Sequence, residues 1–299
     1  MEKSKFKNIR KFIKPYVIEN GDKFRIKDVN PADTHQLKSE DRPEAKKRLE
    51  EGVALLSEMQ DMLYAQSKWG LLLIFQAMDA AGKDGTIKHV MSGVNPQGVD
   101  VFSFKAPTPE EIAHDFLWRT NRCLPARGKI GIFNRSYYEE VLVVKVHPEL
   151  LERQRIPKEL REKHFWRNRY EDINAFEKYL ARNGIAILKF FLNVSRKEQK
   201  RRFLARLEDS EKNWKFSAAD VRERKYWDDY QAAYEKMIRS TASQHAPWVV
   251  VPADNKWFTR LVISTVIVDT LESLNLCYPK VDDAKRKELA EAKKKLLKE

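Results

Sequence analysis

A run of five apolar residues followed by a small-residue turn constrains the fold of this chain more than any other feature. The run is Leu71-Leu72-Leu73-Ile74-Phe75, and a continuous apolar run of this length predicts a strand buried in a sheet. The segment after it, QAMDAAGKDGTIKHV, predicts a tight turn and then a helix. A helix that starts directly after such a turn presents free N–H groups and the positive end of its dipole. The arrangement is therefore typical of a loop that binds phosphate.

The turn departs at two positions from the common phosphate-loop pattern G-x-x-x-x-G-K-[ST]. Ala77 replaces the first glycine, and Asp84 replaces the Ser or Thr that contacts magnesium. A carboxylate can still hold Mg²⁺, and Asp79 supplies a second carboxylate inside the turn. We therefore predict that Asp79 and Asp84 are metal ligands and that they act in catalysis together with the cation Lys83. The loop residues predicted to bind phosphate are Ala81, Gly82, Gly85 and Thr86.

Length and cysteine content exclude several classes of protein. A chain of 299 residues can bury a core without a disulfide or metal staple. Its two cysteines, Cys123 and Cys277, stand in unrelated contexts, which argues against a disulfide framework or a zinc site. No apolar run approaches the length of a membrane span, and the basic, alternating N-terminus is not a secretory signal. We therefore expect a cytoplasmic protein with no membrane partner.

The charge of the chain favours a polyanionic partner. The formal net charge is +13, and the sequence pI is about 9.5. Nucleic acid is the commonest polyanion in cells, but a linear inorganic polyanion satisfies the same electrostatics. Charge alone does not separate these partners.

Strands alternate with helices along the chain. Strands are predicted at 71–75, 99–104, 130–134, 185–193 and 247–252, with helices at 44–68, 85–94, 107–122, from 149 to about 183, after Ser195, and at 254–276. Such alternation predicts parallel pairing and a three-layer α/β domain around a central parallel sheet. We expect this domain to span 46–280, with a lid at about 196–240. Residues 281–299 predict a charged helix. Residues 1–45 predict an extension packed on the core through the apolar side chains Phe6, Phe12, Ile13, Tyr16 and Val17.

Three polar segments follow predicted strands, where ligands of parallel α/β sheets bind. The first is the loop after Phe75, and the second is Asn134-Arg135, with Glu139 just downstream. The third is a basic helix in which Arg202 and Arg206 stand four residues apart and share a face. We predict that Arg135 and Glu139 are catalytic. The residues predicted to bind phosphate or substrate outside the loop are Arg119, Asn134, Arg202 and Arg206.

Each of these assignments has a purely structural alternative. The loop can be an alanine-rich helix cap after a buried strand. Arg135 can pair with a core carboxylate, and Glu139 can be a surface helix residue with equal weight. Arg202 and Arg206 can belong to a solvated face that pairs with Glu198 and Glu208. His114 and Asp115 are not a catalytic pair, because neighbouring residues of a helix point apart.

Several segments in order resemble the second family of polyphosphate kinases. They are QAMDAAGKDGT at 76–86, GVNPQGV at 93–99, HDFLWR at 114–119, GIFNRSYYEEVLV at 131–143, LKFFLNVSRKEQKRRFLAR at 188–206, NWKFSAAD at 213–220 and APWVVVPADNKWFTR at 246–260. The resemblance covers nearly all of 45–280. The FNRS segment followed by an aromatic residue and Glu is similar to class III of that family, which often has His in place of Tyr137.

The resemblance implies a thymidylate-kinase-like fold with a phosphate loop and a helical lid. It implies Mg²⁺-dependent phosphoryl transfer, with Mn²⁺ as a possible substitute, between inorganic polyphosphate and the nucleotides AMP, ADP and ATP. It also implies a homo-oligomer, a dimer or a tetramer, and no nucleic-acid partner. Two other classes stay open: a nucleoside monophosphate kinase that uses ATP as donor, and a polyanion-binding protein without catalysis.

Overall fold

A six-stranded sheet forms the centre of the protein. The computed structural model describes residues 10–35, 37–161, 163–211 and 213–298. The strands are β1 (Val17–Ile18), β2 (Gly70–Gln76), β3 (Val99–Ser103), β4 (Ile130–Asn134), β5 (Ile185–Asn193) and β6 (Trp248–Pro252). They lie in the order β1-β6-β5-β2-β4-β3. All neighbours from β3 to β6 pair in parallel, so the predicted three-layer α/β fold of the P-loop kinase-like type is confirmed.

Helices cover both faces of the sheet and divide the core into two layers. In β2, Leu71, Leu73 and Phe75 face one layer, while Leu72 and Ile74 face the other. This alternation explains why the strand is apolar at every position, since both of its faces are buried. The α-helices with both ends inside the described residues are Arg42–Gln66, Lys83–Val90, Pro109–Ala113, Trp118–Asn121, Val143–Val146, Glu149–Arg153, Phe165–Arg182, Arg196–Glu208, Ala218–Glu223, Trp227–Thr241, Lys256–Ser273 and Asp283–Leu296.

Two long helices predicted from the sequence are interrupted. The helix expected at 107–122 breaks after Ala113, because His114 is extended and the Asp115 carboxylate accepts a hydrogen bond from the Leu117 N–H. His114 instead stacks on Trp118, with ring centroids 4.0 Å apart. The helix expected from 149 to 183 ends at Arg153 and resumes at Phe165. Pro157 lies in the gap and cannot donate a helical hydrogen bond.

The segment before the first long helix packs on the sheet and contributes an unpredicted strand. The short strand β1 pairs antiparallel with β6 and closes one edge of the sheet. Ile13 and Tyr16 are buried, and Phe12 packs edge-on against Phe258. The prediction for Phe6 lies outside the described residues. Among the residues that the structure describes, no helix is both long and apolar enough to cross a membrane.

A buried ion pair lies in the layer below the end of β4. Lys189 of β5 donates to the Glu177 carboxylate at 2.6 Å, and both side chains are completely buried. The same carboxylate accepts from the hydroxyls of Tyr137 and Tyr138 at 2.8 Å each. Lys189 also donates to Tyr138 and to the Thr241 carbonyl, so its three donors are satisfied. The network anchors the turn Tyr137–Val141, which follows Arg135.

Candidate active site

The loop between β2 and the next helix has the backbone geometry of a phosphate site. Ala80 and Gly82 have positive φ values of 61° and 104°, which fold the chain back on itself before the helix begins at Lys83. Glycine adopts the second conformation without strain, whereas an L side chain there would be strained. The Thr86 N–H donates to the Gly82 carbonyl and starts the helical pattern. The N–H groups of the first turn have no partner within the helix and can bind an anion.

Lys83 is the first residue of the helix, and its side chain reaches back to the loop. Its Nζ donates to the Ala77 carbonyl at 2.9 Å, across the mouth of the turn. Burial, and after it the charge of Arg135, lowers the pKa of Lys83 to about 8, against the opposing effects of three nearby carboxylates. The side chain is therefore already placed where the loop would hold a phosphate.

Arg135 connects the loop to the end of β4. Its own φ is +65°, and its N–H donates to the Phe75 carbonyl at the end of β2. The guanidinium donates to Glu139 at 2.9 Å and to Asp79 at 2.8 Å. The Glu139 carboxylate and then Asp79 raise the pKa of Arg135 against the effect of burial. Arg135 thus pairs with two carboxylates, but both belong to half-buried predicted site residues and not to the core.

A second contact joins the same two segments. Asn134, the last residue of β4, donates from its amide to the Asp84 carboxylate at 2.8 Å. Phe75 and Asn134 are aligned in neighbouring strands, so the loop and the β4 end leave the sheet side by side. The structure therefore brings together Asp79, Lys83 and Asp84 from one segment with Asn134, Arg135 and Glu139 from the other.

Glu139 lines a cavity next to the site. The cavity has a volume of about 290 Å³, and its lining includes Arg135, Glu139, Arg119 and Phe104. Arg119 donates to the Lys105 carbonyl at 2.8 Å, and its guanidinium lies over the Phe104 ring. Its placement at the cavity wall is consistent with the predicted substrate contact. The contact of Glu139 with Arg135 also distinguishes it from a solvated surface residue.

Arg202 contacts the backbone of the phosphate loop through its buried guanidinium. Its guanidinium is buried and donates to the carbonyls of Ala80 and Ala81 on one side and of Ala253 and Asp254 on the other. Its Nε donates to Glu198 at 2.7 Å. All five guanidinium donors therefore have protein acceptors. This geometry replaces the predicted phosphate contact with a supporting role, in which Arg202 holds the loop in shape.

Replacing Arg202 by Met is expected to lower the free energy of unfolding by about 3–5 kcal/mol, because four carbonyls and one carboxylate lose a buried charged partner. Replacing the neighbouring Arg201 by Met is the matched control. Arg201 pairs with the same Glu198, but its side chain is 67% exposed, so a change within about 0.5 kcal/mol is expected. Denaturant unfolding of both variants measures the difference. Equal losses in the two variants would show that Arg202 does not support the loop.

Arg206 is the other lid cation, and it lies in a different environment. It is half-buried, and its guanidinium lies 5.6 Å from the centroid of the Phe203 ring. It is close enough to Asp220 to oppose the rise in the pKa of that carboxyl, which burial causes first and Asp79 second. The lid therefore places Asp220 beside the loop carboxylate and close to Arg206, and the phosphate contact of Arg206 stays a prediction.

Three lid residues near the loop were absent from the predicted site. Gln199 donates to the Asp79 carbonyl at 3.0 Å, and Arg224 donates to Gln199 at 2.6 Å. Asp220 is the third, and together with Gln199 and Arg224 it lines a small cavity against Asp79 and Arg135. The segment NWKFSAAD carries part of the family resemblance and ends at Asp220, but spacing alone does not show that this segment folds back over the loop.

The carboxylates of the site suit a metal that is shared with substrate. In the described part of the chain, no three His, Cys, Asp or Glu side chains group closely enough to form a protein cage. Asp79 and Asp84 are separate oxygen donors, one bonded to Arg135 and one to Asn134. Magnesium is commonly held by one or two carboxylates, with substrate phosphate and water completing the shell. The donor set therefore fits such an ion.

A phosphate loop after a central strand, carboxylates beside it and a helical lid against it define a phosphotransferase of the P-loop kinase-like class. Comparison with known proteins refines this class. The family model described as polyphosphate kinase 2 matches residues 38–277. The chain therefore belongs to the polyphosphate kinase 2 family.

The names of individual relatives support membership of this family. An ADP-polyphosphate phosphotransferase of Rhodopseudomonas palustris is 57% identical over 247 residues, which cover 82% of this chain and 86% of the relative. An AMP/ADP-polyphosphate phosphotransferase of Meiothermus ruber is 42% identical over 279 residues, covering 92% of this chain and 98% of the relative. The crystal structure of polyphosphate kinase 2 from Arthrobacter aurescens TC1 matches with a TM-score of 0.83 and 40% identity. That match covers 92% of this chain and 95% of that one.

Proposed function

We propose that this protein transfers the terminal phosphoryl group of inorganic polyphosphate to ADP and to AMP, forming ATP and ADP, and that the reaction is reversible. The position of Arg135 carries the proposal. Its guanidinium contacts Asp79 of the phosphate loop and Glu139 beside the cavity, so it lies where a donor on the loop would meet an acceptor in the cavity. The names of the relatives from Rhodopseudomonas palustris and Meiothermus ruber support the same pair of substrates.

The acceptor needs little activation by a base. A nucleotide phosphate has a second pKa of about 6 and is already largely ionised near neutral pH. In the transfer, an acceptor oxygen forms a bond to the terminal phosphorus as the bond to the leaving polyphosphate oxygen breaks. The obstacle is the approach of two polyanions, so the protein contributes positioning and positive charge. Lys83, Arg135 and Arg206 are the cations proposed to neutralise the transferring group.

Asp79 and Asp84 would hold a magnesium ion, with manganese as a substitute. A bound ion would supply positive charge that offsets the negative charge of the phosphate groups. The side chains around these carboxylates have distinct tasks. Asn134 orients Asp84, and Arg135 orients Asp79. The predicted homo-oligomer, the cytoplasmic location and the absence of a nucleic-acid partner stay predictions.

A donor–acceptor assay tests the proposed function. Purified protein is given AMP or ADP with Mg²⁺ and either polyphosphate or ATP as the phosphate donor, and the products are separated by chromatography. We expect ADP and ATP to form with polyphosphate. Full activity with ATP and none with polyphosphate would support a nucleoside monophosphate kinase. Binding of polyphosphate with no transfer to either acceptor would support a non-catalytic polyanion-binding protein.

Glu139 is proposed to favour AMP as an acceptor. AMP is one phosphate shorter than ADP, so its reacting oxygen has to approach from deeper in the cavity. It is therefore proposed to depend more on the Arg135 guanidinium that the Glu139 carboxylate holds. Glu139→Asn is expected to reduce kcat/KM for AMP roughly tenfold more than for ADP, the size of one lost charge-assisted contact. Steady-state kinetics with both acceptors measure the ratio, and Glu139→Asp is the control that keeps the carboxylate. Equal losses for AMP and ADP would contradict the assignment.

A further inference from the structure

The lid carries a carboxylate at the edge of the site that the proposed mechanism does not use. Glu223 is the last residue of its lid helix and lines the small cavity beside Asp79. A negative charge there opposes the approach of a phosphate chain. Two donors hold this carboxylate: His147 Nε2 lies 2.9 Å from Glu223 Oε2, and the Tyr230 hydroxyl donates to the same oxygen at 2.9 Å.

His147 belongs to the segment that forms a wall of the 290 Å³ cavity proposed to hold the acceptor. It directly follows the helix Val143–Val146, whose first residue lines both cavities. The His147 side chain is 14% exposed, and its ring lies edge-on against Tyr226 with centroids 4.7 Å apart. Nδ1 is 3.5 Å from the largely exposed Glu149. Because a carboxylate has only acceptors, the ring nitrogen that faces Glu223 carries a proton.

The residue after Glu223 continues this connection to the phosphate loop. Arg224 donates to Gln199 Oε1 at 2.6 Å, and Gln199 Nε2 donates to the Asp79 carbonyl at 3.0 Å. With its oxygen and its nitrogen both bonded, the Gln199 amide is fixed in orientation. A continuous series of contacts therefore runs from His147 through the lid to the backbone of the loop.

We propose that His147 is a positioning residue for phosphoryl transfer, which holds the lid against the phosphate loop through Glu223. Among the described residues that line the two cavities, His147 is absent, so it acts through the groups that it holds. A small displacement of those groups lowers the rate strongly, because donor and acceptor have to be aligned. This inference rests on the proposed function and adds a residue that connects the acceptor cavity with the donor loop.

The kinetics of three variants test this assignment. His147→Ala is expected to lower kcat for ATP formation from ADP and polyphosphate about tenfold, the order of one hydrogen bond to a charged group, with less than about a twofold change in KM for ADP. His147→Gln keeps a side-chain N–H donor and is expected to recover most of the rate. His164→Ala is the matched control, because it removes an exposed histidine just before the helix Phe165–Arg182, and it is expected to keep the full rate.

Hydrogen exchange tests the lid contact in the absence of any reaction. In His147→Ala, the amides of residues 218–226 are expected to exchange about tenfold faster, because loss of this hydrogen bond populates the open lid more. Exchange in the helix Lys256–Ser273, which packs in the other layer of the core, is expected to stay unchanged. If thermal unfolding shows that His147→Ala does not fold, Glu223→Ala removes the same contact at a side chain that is 35% exposed, and the same exchange pattern is expected.

A double variant tests whether the series of contacts acts as one unit. His147→Ala combined with Arg224→Met is expected to lose about as much rate as the slower single variant. Losses that multiply would overturn the inference, as would an unchanged kcat or unchanged lid exchange in His147→Ala. If the unaltered protein transfers no phosphate from polyphosphate, the proposed function fails, while the exchange comparison still decides whether His147 holds the lid.

Discussion

Replacing Lys83 by Ala is expected to lower the rate of phosphoryl transfer about a hundred- to a thousandfold, the range seen when one preorganised charge stabiliser is removed. Lys83 is the residue of the loop whose cation lies nearest to the centre of the site, where Arg135, Asp79, Glu139 and Asp84 all influence it. Its loss would leave the transferring phosphoryl group without one of the charges that offset repulsion between donor and acceptor. The measurement is the initial rate of ATP formation from ADP and polyphosphate at saturating substrate.

The helix itself supplies the matched control for this prediction. Lys88 stands in the last turn of the same helix and is exposed. Lys88→Ala is therefore expected to keep the rate of the unaltered protein, and thermal unfolding verifies that both variants fold. If Lys83→Ala turned over polyphosphate as fast as Lys88→Ala, the loop lysine would have no part in transfer, and the proposed mechanism would have to be abandoned.

Replacing Lys189 by Met is expected to reduce the free energy of unfolding by about 3–5 kcal/mol. Lys189 and Glu177 are both completely buried, so removing the cation leaves a carboxylate in an apolar layer. The hydroxyls of Tyr137 and Tyr138 would remain as its donors but bring no charge. The transition in urea or guanidinium chloride, fitted as a linear function of denaturant, gives the difference.

The control for the buried pair is an exposed pair on the same helix as Glu177. Arg167 and Glu171 lie 3.3 Å apart with side chains 63% and 66% exposed. Because water already solvates both charges, Arg167→Met is expected to change stability by no more than about 1 kcal/mol. A similar small effect of Lys189→Met would show that Glu177 becomes protonated at little cost, and the buried pair would then not determine the stability of this layer.

Features carried by contiguous residues were predictable. The apolar runs of β2 and β5 identify buried strands because both faces of each strand meet a helix layer, and their parallel pairing follows from the alternation of strands and helices. The loop QAMDAAGKDGT predicts phosphate binding because turn, glycine and lysine lie within a few residues of one another. Asp79, Lys83 and Arg135 could be selected in this way, since each follows the end of a strand.

Features that depend on distant partners were not predictable from spacing. Arg202 and Arg206 are one helical turn apart, yet one lies beneath the loop with five protein acceptors and the other lies near Asp220. The interrupted helix after Ala113 depends on a local hydrogen bond of Asp115 that overrides helical periodicity. The two-residue strand β1 is too short to carry a pattern and exists because the edge of β6 pairs with it.

The amino-acid sequence by itself determined the sheet, the phosphate loop and the positive charge of this protein. The first two follow from the order of neighbouring residues, and the third follows from composition. Only the tertiary structure decided which charges meet. It placed Arg135 between Asp79 and Glu139 and buried Lys189 against Glu177. Coulomb energies depend on distance and burial, and the folded chain sets both of these quantities by joining segments that lie far apart in sequence.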